Sequence, residues 1–163
     1  MIFVTSGHQM PFDRLMAAAD RLARDHPDLR FFAQTGNSRL KPAHMESVAF
    51  LDPDAYLAAV KEARAIISHA GTGTILTALE CGRPLLVMPR RSGLRETRTD
   101  HQVETAKRFS GEGLVLYAND ETDLPEKFLR LLEFKPSRLL GDTASEQLLG
   151  YLRDYTQSVL ARR

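Results

Sequence analysis

The chain is 163 residues long, with 22 basic and 21 acidic residues intermixed and a formal charge of +1. That balance gives no basic footprint for nucleic acid, and a single cysteine, Cys81, excludes an internal disulfide. No apolar run approaches the ~20 residues needed to cross a bilayer, and the length suits one domain able to bury a real core.

Ile2-Phe3-Val4 reads as the first strand, and the chain turns polar at once, without the long apolar stretch of a signal peptide. A cytosolic protein is expected, so any work at a membrane would need a partner. The following loop, Thr5-Ser6-Gly7-His8-Gln9-Met10-Pro11, offers small residues and then donors, which suits a phosphate. His8 reads as a residue that positions the loop or a phosphate, with proton transfer as the alternative. The loop is neither Gly-x-Gly-x-x-Gly nor a Gly-Lys-Ser/Thr cradle, which argues against nicotinamide chemistry and nucleoside triphosphate hydrolysis.

Leu15, Ala18, Ala19 and Leu22 recur at helical spacing and predict a helix over 14–24. Residues 29–33 read as a second strand and 48–51 as a short third. Asp52 caps a helix opened by Pro53 and running to about Ala63. The Asp52-Pro53-Asp54 pair is therefore read as a cap, and no histidine spacing suggests a metal site.

Residues 65–68 form the fourth expected strand, leading into Ser68-His69-Ala70-Gly71-Thr72-Gly73-Thr74 and a helix over 72–80 that ends at Gly82. A strand, a glycine-bearing turn and a helix start suit an anion, the alternative being a tight turn with no ligand. The first helical turn has unpaired N–H groups at the positive end of its dipole. Residues 84–88 read as the fifth strand. The loop after it carries four arginines (Arg90, Arg91, Arg95 and Arg98), either solvated or in contact with a phosphate-bearing substrate or lipid headgroups. Asp100 then starts a helix to about Phe109, and residues 113–117 read as the sixth strand. Asp100 suits an N-cap, and with Gln102 it also suits sugar hydroxyls.

Strands alternating with helices predict an α/β fold, a Rossmann-like doubly wound parallel sheet of about six strands. Ligands in such sheets bind beyond the carboxyl ends of the strands, here in loops 6–12, 35–46, 51–53, 69–74 and 89–100. Two phosphate cradles, after Ser6 and after Ala70, should face one another across an open crevice. Residues 1–134 read as this unit and 135–163 as an extension. Within the extension an amphipathic helix is expected over 143–160, packed on its own domain or reaching a second protein.

Ser68 to Thr74, then Gly82-Arg83-Pro84-Leu85-Leu86-Val87-Met88-Pro89-Arg90-Arg91, then Asp100-His101-Gln102, resemble the carboxyl-terminal domain of family 28 glycosyltransferases. The amino terminus, with Pro11-Phe12-Asp13-Arg14-Leu15, is also similar, and the likeness spans about residues 1–120. The strongest resemblance is to the small donor-binding subunit of split bacterial exopolysaccharide glycosyltransferases. A related arrangement is the catalytic subunit of the two-protein dolichol-pathway N-acetylglucosamine transferase. The resemblance implies one half of a GT-B enzyme that binds a nucleoside-diphosphate sugar, usually a UDP-sugar, without a metal or other cofactor. Ser6, Gly7, His8 and Gln9 would line the diphosphate from one side, and Gly71, Thr72, Gly73 and Thr74 from the other. The main chain at Phe50 and Leu51 would pair with the nucleobase, and Asp100, His101 and Gln102 would touch the donor sugar or ribose. Thr77 stands where relatives often carry the acid that holds the ribose, with Glu80 one turn away. A membrane-associated partner would supply a lipid-linked saccharide acceptor and the general base, and the transfer would invert the anomeric carbon. Two other readings stay open. A non-catalytic nucleotide-sugar module would give no acceptor-dependent UDP release, and a homodimeric sugar-nucleotide enzyme such as an epimerase would form product alone.

Overall fold

The computed structural model describes residues 1–137. The helix expected over 143–160 lies outside the described residues. Strands β1 (Ile2–Thr5), β2 (Phe31–Gln34), β3 (Glu46–Val48), β4 (Ala65–His69), β5 (Leu85–Met88) and β6 (Leu116–Tyr117) form one sheet in the order β3-β2-β1-β4-β5-β6. Every pairing in it is parallel. Parallel strands are buried on both faces and must be apolar on both. Accordingly Ile2, Val4, Ile67, Leu86 and Met88 face one core, and Phe3, Ile66, Leu85 and Val87 face the other.

Helices α1 (Asp13–Asp25) and α5 (Leu124–Leu131) cover the first face, where Leu15, Met16, Phe128 and Leu131 are fully buried. Helices α2 (Pro53–Glu62), α3 (Thr72–Glu80) and α4 (His101–Gly111) cover the second through Val60, Ile75, Leu79 and Ala106. The sheet is thus doubly wound, as the alternation of elements requires.

Local chemistry explains most boundaries. The Asp52 carboxylate accepts from the Ala55 amide at 2.9 Å and Pro53 occupies the first turn of α2. Gly82 takes φ of +63° just past α3, the left-handed turn that glycine adopts without strain. Two strands differ from expectation. The third runs over Glu46–Val48 rather than 48–51; beyond it the Ala49 carbonyl still accepts from the Gly36 amide at 2.8 Å, and the Leu51 amide donates to Gln34 Oε1 at 3.0 Å. The sixth is only Leu116–Tyr117, since Leu114 and Val115 are buried between α4 and the sheet and not paired in it. Helix α5 and a single 3-10 turn at Ser92–Leu94 were not expected from the sequence.

The loop after β5 is held against α1 by charge. Arg14 donates Nε and Nη2 to the two carboxylate oxygens of Glu96 at 2.9 and 2.8 Å, and Nη1 to Glu121 at 2.8 Å. Glu96 also accepts from the Arg91 amide at 3.0 Å, so one half-buried acid fixes both ends of the turn. Arg14→Met should cost about 2 kcal/mol in urea unfolding, less than a fully buried pair because Glu121 remains partly solvated. An unchanged midpoint would show that this network does not hold the loop.

Candidate functional site

The strand order reverses between β1 and β4, which pair in parallel from Ile2↔Ala65 to Thr5↔Ser68. Connections leave these two strands toward opposite faces, so a crevice opens above them. The loop after β1 and the start of α3 form its walls. Two cavities of about 430 and 320 Å³ lie side by side there and share Gly7, His8, Gly73 and Thr74. They are one cleft with two arms. The first arm, toward β2 and α2, is walled by Leu51, Pro53, Tyr56, Leu57 and Thr77, with Gln34 and Thr5 at its floor. The second, toward β5 and α4, is walled by Gln9, His69, Gly71, Arg90, His101 and Gln102.

Thr72, Gly73 and Thr74 occupy the first turn of α3, where backbone amides have no intrahelical acceptor. A Cβ placed on Gly73 would meet nothing within 4 Å, so the space beside its Cα is open at the join of the two arms. The gap between Gly7 and Gly71 is different. The expected open crevice is filled there by the imidazole of His69: a Cβ on Gly7 would come within 2.6 Å of its Cε1, and one on Gly71 would overlap its Nε2. These two glycines make room for the ring. Gly7 also needs the left-handed φ of +76°. The opening available to a ligand therefore lies over Gly73 and His8.

The remaining sequence candidates divide clearly. Ser6 is fully buried and its hydroxyl donates to the Thr35 carbonyl at 2.6 Å, so its side chain is committed to the fold. His8 and Gln9 are exposed, their carbonyls accept from Asn37 Nδ2 at 3.1 and 3.4 Å, and the His8 ring lies 5.1 Å from that of Phe50. The Thr74 hydroxyl accepts from Tyr56 at 3.2 Å, and Thr77 donates to the Gly73 carbonyl at 3.0 Å while still lining the first arm. Glu80 is exposed on α3 and lines neither arm. The Leu51 amide is taken by Gln34, and Phe50 beside it is half-exposed. Asp100 stands at the start of α4 but does not cap it. Its carboxylate instead accepts from the Ser92 amide and hydroxyl at 2.8 and 2.9 Å. Those bonds hold its pKa below the ordinary carboxylate value, and Asp100 lines neither arm of the cleft. His101 and Gln102 do line it, the first with its Nδ1 at 2.8 Å from Thr99 Oγ1 and the second with its Oε1 accepting from the Arg90 amide at 3.1 Å.

Sequence reading missed Gln34, Tyr56 and His69 as site residues. Gln34 and His69 had a readable signal, since each is a polar residue ending an apolar strand. Tyr56 had none beyond its place on a half-exposed helix. Of the four loop arginines, Arg91 donates to Asn119 and Arg90 is buried, while Arg95 and Arg98 are exposed.

The class follows from this geometry: a doubly wound parallel sheet with a helix start at its switch point. The chain belongs to the glycosyltransferase family 28 C-terminal domain, whose model matches residues 1–150. It is 40% identical over 103 residues to the UDP-N-acetylglucosamine transferase subunit ALG13 of Cryptococcus neoformans, covering 56% of this chain and 49% of that protein. Against human ALG13 it is 34% identical over 126 residues, 71% of this chain and 11% of that protein. The chain thus spans about half, or less, of these curated relatives. Among solved structures, the NMR structure of ALG13 superposes with a TM-score of 0.60 at 20% identity, covering 93% of each chain. The kitacinnamycin glycotransferase gives 0.61 at 20% identity, with 80% of this chain on 34% of that one. The fold corresponds to the carboxyl-terminal half of a GT-B glycosyltransferase.

Burial, reinforced by the nearby Arg90 charge, lowers the His69 pKa from 6.5 to about 4, with the Thr5 backbone acting the other way. The folded chain therefore holds this ring neutral while the unfolded chain protonates it near its ordinary value. Stability should be full above pH 6.5 and fall as pH drops toward 4, by roughly 3 kcal/mol at most from this group. Melting curves across that window should flatten in His69→Asn. The same slope in wild type and variant would assign the acid sensitivity elsewhere.

Proposed function

We propose that this chain is the donor-binding subunit of a two-part glycosyltransferase that transfers a sugar from a UDP-sugar to a lipid-linked acceptor presented by a membrane-associated partner. One observation carries the reading: unpaired amides at the start of α3 and the loop after β1 wall a single cleft at the strand switch point. The ALG13 relatives, named as UDP-N-acetylglucosamine transferase subunits, favour the same donor class. No helix among the described residues is long and apolar enough to cross a membrane, which fits recruitment through a partner.

In this reading the nucleoside lies in the first arm, with its base edge on the Phe50 main chain and its ribose toward Thr77. The diphosphate passes over Gly73 and Thr74, flanked by Gly7, His8, Gln9, Gly71 and Thr72, and the sugar reaches toward His101 and Gln102. In the transfer, the bond between the anomeric carbon and the phosphate oxygen breaks and its electron pair stays on the departing UDP. The acceptor oxygen bonds to the anomeric carbon from the opposite face, and its proton passes to a base on the partner. Fixed amides at the helix start stabilise the charge that develops on UDP, so no metal is required for that task. Residues 1–134 form the donor unit and 135–163 dock the partner.

Calorimetric titration should give tighter binding of UDP than of GDP or dTDP. Gly73→Val should abolish UDP binding yet melt like the wild type, because its Cβ has free space. Gly71→Ala should instead lose about 1–3 kcal/mol of stability by driving into His69. When partner and acceptor are added, UDP release should depend on acceptor. Indifference to every nucleotide would end the proposal, and acceptor-independent behaviour would favour a non-catalytic module. Truncation after Gly141 should abolish co-purification with the partner, and retained association would place docking elsewhere.

A further inference from the structure

Arg90 is the least explained charge in the described residues. It is 4% exposed, at the floor of the second arm of the cleft. Both of its side-chain hydrogen bonds come from Nη2, which donates to the Ser6 carbonyl at 2.8 Å and to the Met10 carbonyl. Nε is buried with no acceptor. The guanidinium rests 5.0 Å from the Phe12 ring centre. Among the described residues it forms no ion pair: the acid whose charge acts on it is Glu96, whose oxygens are taken by Arg14 and the Arg91 amide. A guanidinium cannot discharge in a protein, and burying it unpaired is costly. A strut between two carbonyls would not need a cation, since a neutral amide donates to carbonyls as well. The cost is understandable if an anion completes the site.

The position of Arg90 says which anion. The nucleoside arm lies on the β2 side, Gly73 and Thr74 lie at the join, and Arg90 lies beyond them on the β5 side with Gln102 and His101. A nucleotide laid along this line brings its first phosphate to the α3 amides and its second toward Arg90. We propose that Arg90 is the counter-ion of the distal, sugar-bearing phosphate of the donor. This rests on the donor-binding reading above and adds a residue to it. The distal phosphate carries the oxygen that leaves with the electron pair, so the same charge would favour departure as well as binding. Arg90 also ties the loop after β1 to the loop after β5, and the phosphate would be gripped where those loops meet.

The test compares uridine, UMP, UDP and inorganic pyrophosphate as calorimetric ligands of the full chain, in wild type, Arg90→Gln and Arg90→Lys. Wild type should bind UDP more tightly than UMP. Arg90→Gln should weaken UDP on the order of 10- to 100-fold, the worth of a charge-assisted hydrogen bond, while uridine and UMP change little. Pyrophosphate should compete with UDP in wild type and not in Arg90→Gln. Arg90→Lys, which keeps the charge and loses the planar fork, should fall between the two. An Arg90→Gln chain that binds UDP like wild type overturns the proposal. Equal losses for uridine, UMP and UDP also overturn it, since Arg90 would then be only a strut between loops. A wild type that binds none of the four ligands instead defeats the donor reading on which this rests.

Discussion

The site depends on the parallel pairing of β1 with β4. Each strand is an apolar run that turns polar at its carboxyl end, at Thr5 in β1 and at Ser68 and His69 in β4, and each leads into a turn that the sheet places beside the other. Because the connections from these neighbours run to opposite faces, their exits diverge and leave a crevice that no side chain of either core needs to fill. Everything polar in the site is arranged around that gap. Gln34 braces the β2 side by donating to Thr5 and accepting from Leu51, and Gln102 braces the β5 side by accepting from the Arg90 amide. The cleft is held open by hydrogen bonds made beneath it, and the ion pairs of Arg14 with Glu96 and Glu121 hold the outer loop in register.

Much of this was legible in the sequence, and the reasons are specific. The strands of the sheet centre are short apolar runs bounded by turn residues, so β1, β4 and β5 could be read almost to the residue. The start of α2 was announced by Asp52 and Pro53 and the end of α3 by Gly82. The edges were harder. Strand β3 exposes all three of its residues, so no burial pattern marks it. Helix α5 is only eight residues long, in a stretch that sequence reading passed over. At the cleft, motif and spacing named several of the lining residues but not the contacts they make. Gly7 and Gly71 were read as lining a diphosphate, and the structure also packs the His69 ring against both. Asp100 was read as a cap or a sugar contact, whereas the 3-10 turn takes its carboxylate. Neither outcome can be found from residue type, because each depends on a neighbour many positions away or on a turn whose shape is set by tertiary contacts.

His69 and Arg90 also show how the cleft manages charge. Two cationic side chains at the floor of one cavity would repel if both were charged. The structure resolves this by keeping the imidazole neutral, through burial and through Arg90 itself. One permanent positive charge then remains, buried and short of partners, beneath a helix start whose amides carry a fractional positive charge of their own. All of these terms have the same sign and none is compensated by an acid within the cleft. A neutral ligand would leave that field unanswered, and a cation would be repelled by it. An anion that spans from the α3 amides to the guanidinium would satisfy both at once, and a diphosphate has two charged groups in the required succession.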